Sequence, residues 1–384
     1  MALDFDLSSE HNILRQSVRE FAEKEIRPFA RELDAKEEFS YSITHKMAEM
    51  GLFGMFVSEE YGGSAVDYVS YIIAVEELAR VDGSHAATIA AGNSLGIGPI
   101  YYFGSEEQKK RWLPPLCRGE ILAGFGLTEP LAGSDAGSSR TTAVKDGNEW
   151  VLTGSKIFIT NAATDITGVV VVQAVTGKKS DGRKEISCFL VPAGSPGFTA
   201  RAMHGKMMWR ASNTAELYFD EVRLPDSALL GRKGDGFRQM LSTLDGGRLS
   251  IAAMGLGGAQ GAFELALNYA KERKQFDRPL FDFQATQFKL ADMATGLEAS
   301  RNLLYKACWL KDNHRPFGKV AAMAKLYCSE LMGRVTNEAV QIHGGYGLMQ
   351  EYDVERFYRD YKLLTIGEGT SEVQRIVIAR HLSD

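Results

Sequence analysis

The feature that most constrains how this chain folds is a double change of hydrophobic period, from helical to strand-like and back. From about Ser9 to Arg118 apolar residues recur at helical spacing. Leu14, Val18, Phe21 and Ile26 share a face, with Ser8 or Ser9 placed as a cap and Glu10 in the first turn. Pro28 kinks or ends that run. Further helical segments follow around 42–50, 68–79 and 106–113, punctuated by Tyr61-Gly62-Gly63 and Pro114-Pro115. The texture then changes: 141–144, 149–153, 156–160, 169–175, 186–191 and 216–224 are short, β-branched or aromatic, and bounded by turn residues. Asp146-Gly147 between two of them is a hairpin signal. No long helical segment separates these strands, so an antiparallel sheet or barrel is expected rather than a doubly wound one. Helical spacing returns over 236–273, 284–311, 317–343 and 370–382. The order predicts an α+β chain, a sheet domain inserted between two helical parts that pack together.

Composition removes several function classes. The 384 residues suffice for two or three domains, and 45% hydrophobic residues argue against disorder. No apolar run approaches the ~18 residues of a membrane span. With 44 Lys+Arg against 49 Asp+Glu, the net charge of −5 gives no general pull toward nucleic acid or anionic lipid, which leaves room for a local basic pocket. Cys117, Cys188, Cys308 and Cys328 form no CxxC pair and the histidines no HExxH, so neither a metal site nor a secreted disulfide framework is expected. Met1-Ala2-Leu3-Asp4 leads into a charged helix without a signal-peptide core or an Arg-rich presequence, and a cytoplasmic location is the expectation. The charged stretch 177–185 reads as a solvated hairpin tip.

Six constellations could carry chemistry. Phe125-Gly-Leu-Thr-Glu-Pro130 followed by Gly133-Ser-Asp-Ala-Gly137 either presents N–H groups and hydroxyls to a flat or phosphorylated ligand or is a capped turn. Lys156-Ile-Phe-Ile-Thr-Asn161 reads as an ordinary buried strand. Met254-Gly-Leu-Gly-Gly-Ala-Gln-Gly261 has Gln260 where a dinucleotide-binding glycine would be required, and its glycines are better explained by close helix contact. Arg273-Lys-Gln-Phe-Asp-Arg278 suits a helix C-terminus, and Arg273 could also grip a pyrophosphate. Gln341-Ile-His-Gly-Gly-Tyr-Gly347 ends a helix with more glycines than a C-cap needs. In Ile366-Gly-Glu-Gly-Thr-Ser-Glu372, Thr370 or Ser371 can cap a following helix with Glu372 in its first turn. Glu368 has no such role, and reads as a mobile carboxylate at an apolar edge, suited to be a general base.

Taken together, the chain resembles the acyl-CoA dehydrogenase family over essentially its whole length, most like short-chain or short-branched-chain members. The most specific stretches are Gly126-Leu-Thr-Glu-Pro-Leu-Ala-Gly-Ser-Asp135, Gln341–Gly347 followed by Arg356 and Asp360, and Gly367-Glu-Gly-Thr-Ser-Glu-Val-Gln-Arg375. The resemblance implies an N-terminal helical domain (1–120), a middle antiparallel β domain (121–232) and a C-terminal four-helix-bundle domain (233–384) in a homotetramer. It also implies FAD, an acyl-CoA substrate and an electron-transferring flavoprotein as acceptor. Glu368 matches the family's base, which takes the α-proton while the β-hydride passes to flavin N5, yielding the trans-2-enoyl-CoA. The Glu368 N–H and a ribityl hydroxyl of the flavin form the oxyanion hole. Desolvation is expected to raise the pKa of Glu368. Some members place the base just before an arginine after the β domain; here that residue is Gly247, before Arg248.

By the same resemblance, Phe125, Leu127, Thr128 and Ser134 match the flavin-facing loop, with Ser134 also near the CoA arm. Phe158, Ile159 and Thr160 match the segment beside the isoalloxazine, Phe158 standing in for a frequent tryptophan. Arg273, Phe276, Gln284, Gln341, Gly344 and Gly345 match positions that meet FAD across a subunit interface. Thr370 and Glu372 match its pyrophosphate end. Leu244, Asp245 and Arg248 match the CoA-binding helix, and Gly369 borders the thioester. Gly367 replaces a common tyrosine, Met207-Met208 is bulkier than usual, and the arginine of glutaryl-CoA dehydrogenases is missing near Ala86. Short straight or branched acyl chains are therefore expected. An oxygen-using acyl-CoA oxidase and a non-catalytic flavin or acyl-CoA scaffold are the alternatives.

Overall fold

Ser8, not Ser9, caps the first helix: its hydroxyl accepts from the His11 N–H at 3.2 Å, and α1 runs Ser9–Phe21. The computed structural model describes residues 6–382, so the Met1–Asp4 lead lies outside the described residues. Pro28 does not end the helical run. A wide π-type turn over Ala22–Ile26 feeds α2 (Arg27–Lys36), with Pro28 in its first turn, where a missing N–H does little harm. Next come α3 (Tyr41–Glu49), α4 (Tyr68–Ala79), α5 (Gly83–Ala91), a second wide turn (Gly92–Ile97), α6 (Gly98–Phe103) and α7 (Glu106–Cys117). Pro114 and Pro115 lie inside α7 rather than after it. Their ring-locked φ is near the helical value, and the carbonyls they leave unbonded belong to the exposed Lys110 and Arg111. The stretch from α5 to α6 has no readable period because almost every residue in it is buried, leaving no polar face to mark one.

The middle strands are β1 (Leu122–Gly126), β2 (Thr142–Asp146), β3 (Glu149–Thr160), β4 (Thr167–Lys178), β5 (Lys184–Pro192), β6 (Phe198–Ala202), β7 (Thr214–Pro225) and β8 (Leu229–Leu230). They form one sheet in the order β6-β7-β3-β2-β4-β5-β8, mostly antiparallel, with Asp146-Gly147 at the β2–β3 turn. One departure is that β1 lies parallel to β4, Ala123 opposite Val169 through Gly126 opposite Val172. The connection between them contains two other strands, a crossover that alternation along one strand cannot reveal. Alternation also fails along Val169–Val172, where all four side chains are buried. Val169 and Val171 join the helical core; Val170 and Val172 join Trp150, Leu152, Leu217 and Phe219 on the other face. The sheet is thereby welded to the helices.

After β8 come α8 (Gly236–Glu272), the short pair β9 (Lys274–Gln275) and β10 (Arg278–Pro279), α9 (Gln284–Asp312), α10 (Gly318–His343), α11 (Val354–Leu364) and α12 (Ser371–Arg380). The glycines of 254–261 serve helix contact. A Cβ on Gly257 would stand 2.1 Å from the Glu76 carbonyl of α4, and one on Gly255 3.0 Å from the Cys328 backbone of α10. α8 can therefore run between α4 and α10, and the N- and C-terminal helices share a core. Among the described residues no helix is long and apolar enough to cross a membrane.

Candidate active site

Glu368 sits between α11 and α12 with φ 52°, and Gly369 follows with φ 91°. Two successive left-handed residues turn the chain sharply and cost energy at the glutamate. The carbonyls are anchored: Gln374 Nε2 donates to Glu368 O (3.2 Å) and Gly369 O (2.9 Å), and Lys325 Nζ donates to Gly369 O at 2.6 Å. The Glu368 N–H makes no hydrogen bond among the described residues. Its carboxylate lies against α8 at Gly247, where an added Cβ would come within 1.9 Å of Oε2. That oxygen is sealed from solvent and has no partner. Burial pushes the carboxyl up to about 7, against the pull of Lys325 and then Arg248. The expectation of a mobile carboxylate at an apolar edge is corrected: cations of α8 and α10 face it, supplied by helices too distant in sequence to be read beside it.

Leu244, Asp245 and Arg248 lie on the same stretch of α8. Arg248 is buried and pairs with Asp245 at 2.5 Å, its Nε is unbonded, and its charge acts on Glu368. Thr370 caps α12, accepting from the Val373 N–H at 3.2 Å, and the exposed Glu372 lies in the first turn.

A second group is built by the sheet. Phe125 is the penultimate residue of β1, Leu127 and Thr128 follow the strand, and the Ile157 N–H donates to Thr128 O at 2.9 Å, tying this loop to β3. Here the ordinary-strand reading of 156–161 is corrected. The register with β7 slips between Lys156 and Ile159, and Phe158 (φ 63°) and Asn161 (φ 61°) turn left-handed. Phe158 is thrown outward, 62% exposed, while Ile159 stays in the core and Thr160 is half-buried. A bulge of this kind re-aims side chains and escapes any period-two pattern.

Sequence reasoning missed Glu129 and Lys156. Lys156 is 1% exposed and its Nζ meets Glu129 Oε1 at 2.7 Å. The same carboxylate accepts from Ser139 Oγ, Arg140 N (2.7 Å) and Thr141 N (3.1 Å), so one buried ion pair closes the loop that carries Leu127, Thr128 and the exposed Ser134. The only signal was a lysine in an otherwise apolar strand.

A third group lies elsewhere. Arg273, at the end of α8, places its guanidinium 5.6 Å from the Tyr346 ring; Phe276 is 87% exposed, and Gln284 opens α9. Gln341 is in the last turn of α10, and an added Cβ on Gly344 or Gly345 would meet nothing within 4 Å. Arg273, Gly344 and Gly345 line a cavity of about 440 Å³ with Tyr269, His343 and Tyr346. Gly247 and Arg273 are ends of one continuous helical stretch, about 39 Å apart at 1.5 Å per residue. The structure thus does not bring this group to Glu368 within one chain.

Comparison with known proteins agrees over the whole chain. Family models of acyl-CoA dehydrogenase match as the N-terminal domain at residues 8–120, the middle domain at 124–222 and the C-terminal domain at 234–383. The chain is 52% identical to a probable acyl-CoA dehydrogenase, YngJ, of Bacillus subtilis, over 99% of this chain and 100% of the relative. It is 47% identical to the mitochondrial short-chain specific acyl-CoA dehydrogenase of Bos taurus, over 98% of this chain and 91% of the relative. Butyryl-CoA dehydrogenase from Megasphaera elsdenii superposes with a TM-score of 0.96 at 43% identity, each chain fully covered. A glutaryl-CoA dehydrogenase from Mycobacterium smegmatis in complex with FADH2 superposes at 0.93 and 33% identity, over 98% and 95% of the two chains. The chain belongs to the acyl-CoA dehydrogenase family of FAD-dependent oxidoreductases.

Proposed function

We propose that this enzyme dehydrogenates short straight or branched acyl-CoA thioesters to the trans-2-enoyl-CoA, with Glu368 as the base. The observation that carries the proposal is the Glu368 carboxylate: its Oε2 sealed and unpaired, its pKa raised to about 7, and its own unbonded N–H beside it. A base near neutrality is matched to a weakly acidic α-hydrogen. Glu368 takes the α-proton, and the electron pair of that C–H bond moves toward the thioester oxygen. The Glu368 N–H binds that oxygen more tightly as its charge grows, an effect typically worth about 3 kcal/mol per donor. Asp245 and Arg248 on α8, with Leu244, hold the CoA arm, and Gly369 leaves room at the thioester.

The residues present fit FAD. Phe158 is exposed at a bulge, Thr128 and Thr160 offer hydroxyls nearby, and Phe125, Leu127 and Ile159 supply the apolar backing. Thr370 and Glu372 lie at the helix start assigned to the pyrophosphate. When bound, FAD supplies the acceptor for the β-hydride. Arg273, Phe276, Gln284, Gln341, Gly344 and Gly345 would hold the FAD of a neighbouring copy, since α8 keeps them too far from Glu368 to serve their own. That separation supports a homotetramer, whose subunits complete one another's sites. The acceptor implied by the family likeness is an electron-transferring flavoprotein. Four buried, unpaired thiols support a reducing compartment such as the cytoplasm.

The test is an anaerobic spectral titration of the flavin-loaded protein with acyl-CoAs of graded length and branching. Bleaching by a short acyl-CoA is expected; no bleaching by any of them overturns the reading. Rapid peroxide formation in air would assign the oxidase alternative instead.

A further inference from the structure

Among the described residues, Lys325 is the fully buried ammonium in contact with the Glu368–Gly369 turn. It projects from α10, is 0% exposed, and forms no ion pair within 4 Å among the described residues. Its hydrogen bond to a protein group is the 2.6 Å bond to the Gly369 carbonyl. A buried cation with a single neutral acceptor is expensive, and a structural tether alone would be cheaper as a neutral side chain. Its electrostatic surroundings are Glu368 first, then Arg248 of α8, Glu372 of α12 and Glu330 of its own helix. Glu368 in turn faces Lys325 and Arg248, and lies near the hydroxyls of Tyr68 and Tyr71 from α4.

We propose that Lys325 is a positioning residue for proton abstraction: its bond to the Gly369 carbonyl holds the left-handed turn that frees the Glu368 N–H, and its charge offsets part of the cost of ionising the Glu368 carboxylate. The proposal rests on Glu368 being the base. The Lys325 ammonium is bonded to the Gly369 carbonyl. It acts through the backbone of the turn and across the gap to the carboxylate. Burial lowers Lys325 itself to about 8, so the cation persists through the neutral range in which Glu368 ionises.

The test separates proton transfer from redox turnover. A butyryl-CoA analogue with sulfur at the β-position and deuterium at the α-carbon can lose its α-deuteron to Glu368 and regain a solvent proton, without any oxidation. Its washout rate is followed by NMR against pH in the flavin-loaded wild type and in Lys325→Met, Lys325→Gln, Lys325→Arg and Glu368→Gln. In the methionine and glutamine variants the rate at pH 7 should fall at least tenfold, and the acidic limb should move up by about one pH unit, a tenfold change in proton affinity. Lys325→Arg should leave the limb in place. Lys325→Gln, which retains a donor for the Gly369 carbonyl, carries the test alone if the methionine variant fails to fold. An unmoved limb in a folded neutral variant overturns the role of Lys325 while leaving the base intact. Washout that survives in Glu368→Gln overturns the base itself.

Discussion

At the scale of single residues the site depends on one absence and one strained presence. Gly247 has no side chain, and the space holds the Glu368 carboxylate. Gly247→Ala should favour the helix by about 1 kcal/mol on propensity. It should nonetheless lower kcat at least tenfold, because the carboxylate must move away from a Cβ 1.9 Å from its oxygen, and misplacement of that order is costly. Thermal unfolding and turnover measured on one preparation decide this, and a stabilised, fully active variant would refute it. Glu368→Gln is nearly isosteric but cannot take a proton, so about 10²–10⁴-fold of activity should be lost while FAD and acyl-CoA binding persist. In the wild type kcat/KM should rise with pH and level off above about 7, since the base works ionised. The flanking glycines single out Glu368 in the sequence as a candidate base. Its neighbour Lys325 and the Glu129 partner Lys156 were not legible there, because a lysine in a helix or strand pattern looks like a solvated one until the fold buries it.

At the scale of elements, the loop between β1 and β2 is held by the Glu129–Lys156 pair. The hydrogen bonds to Glu129 and the ammonium beside it outweigh burial and hold its carboxyl at about 2. Its stabilisation is therefore present above the ordinary carboxylate range and is lost as pH falls through about 2. Lys156→Met should cost about 3–5 kcal/mol, the usual effect of leaving one buried charge alone. Urea unfolding would show it, and a shift below about 1 kcal/mol would mean that water reaches the pair. The helical periods of α1, α8, α9 and α10 were readable because each has a polar side or a long span, and α4 was readable from its unbroken apolar run closed by Glu76 and Glu77. α5 was hidden by burial on every side, α6 is too short at six residues to show a period, and α11 is a short helix between two glycine-rich stretches. The parallel β1–β4 pairing had no local signature.

At the scale of the whole molecule, the roughly 39 Å of α8 between Gly247 and Arg273 separates Glu368 from the Arg273 cavity. Arg273→Ala should accordingly weaken FAD retention more than acyl-CoA affinity; unchanged flavin content after dialysis would count against a shared site. Another long-range feature is Asp360 of α11, which accepts from the Trp209 N–H at 2.8 Å, so that the middle domain is latched to the C-terminal one. Burial, with Asp82 nearby, pushes it up to about 7. A carboxyl raised in the folded state binds protons more tightly there than when unfolded, so its contribution to stability falls as pH rises from about 4 to 7. Asp360→Asn should narrow the stability difference between pH 5 and pH 8 by about 1 kcal/mol or more, read from melting curves. Period and motif order sufficed for the three zones, the glycine-flanked Glu368 and the rejection of a dinucleotide fold, because those properties are written in neighbouring residues. The sealing of the Glu368 carboxylate, the bulge that exposes Phe158, the buried lysines and the separation of the Arg273 cavity were decided only by tertiary structure. Each depends on burial or on contact between residues far apart in the chain, and neither quantity exists until the helices and sheet have packed.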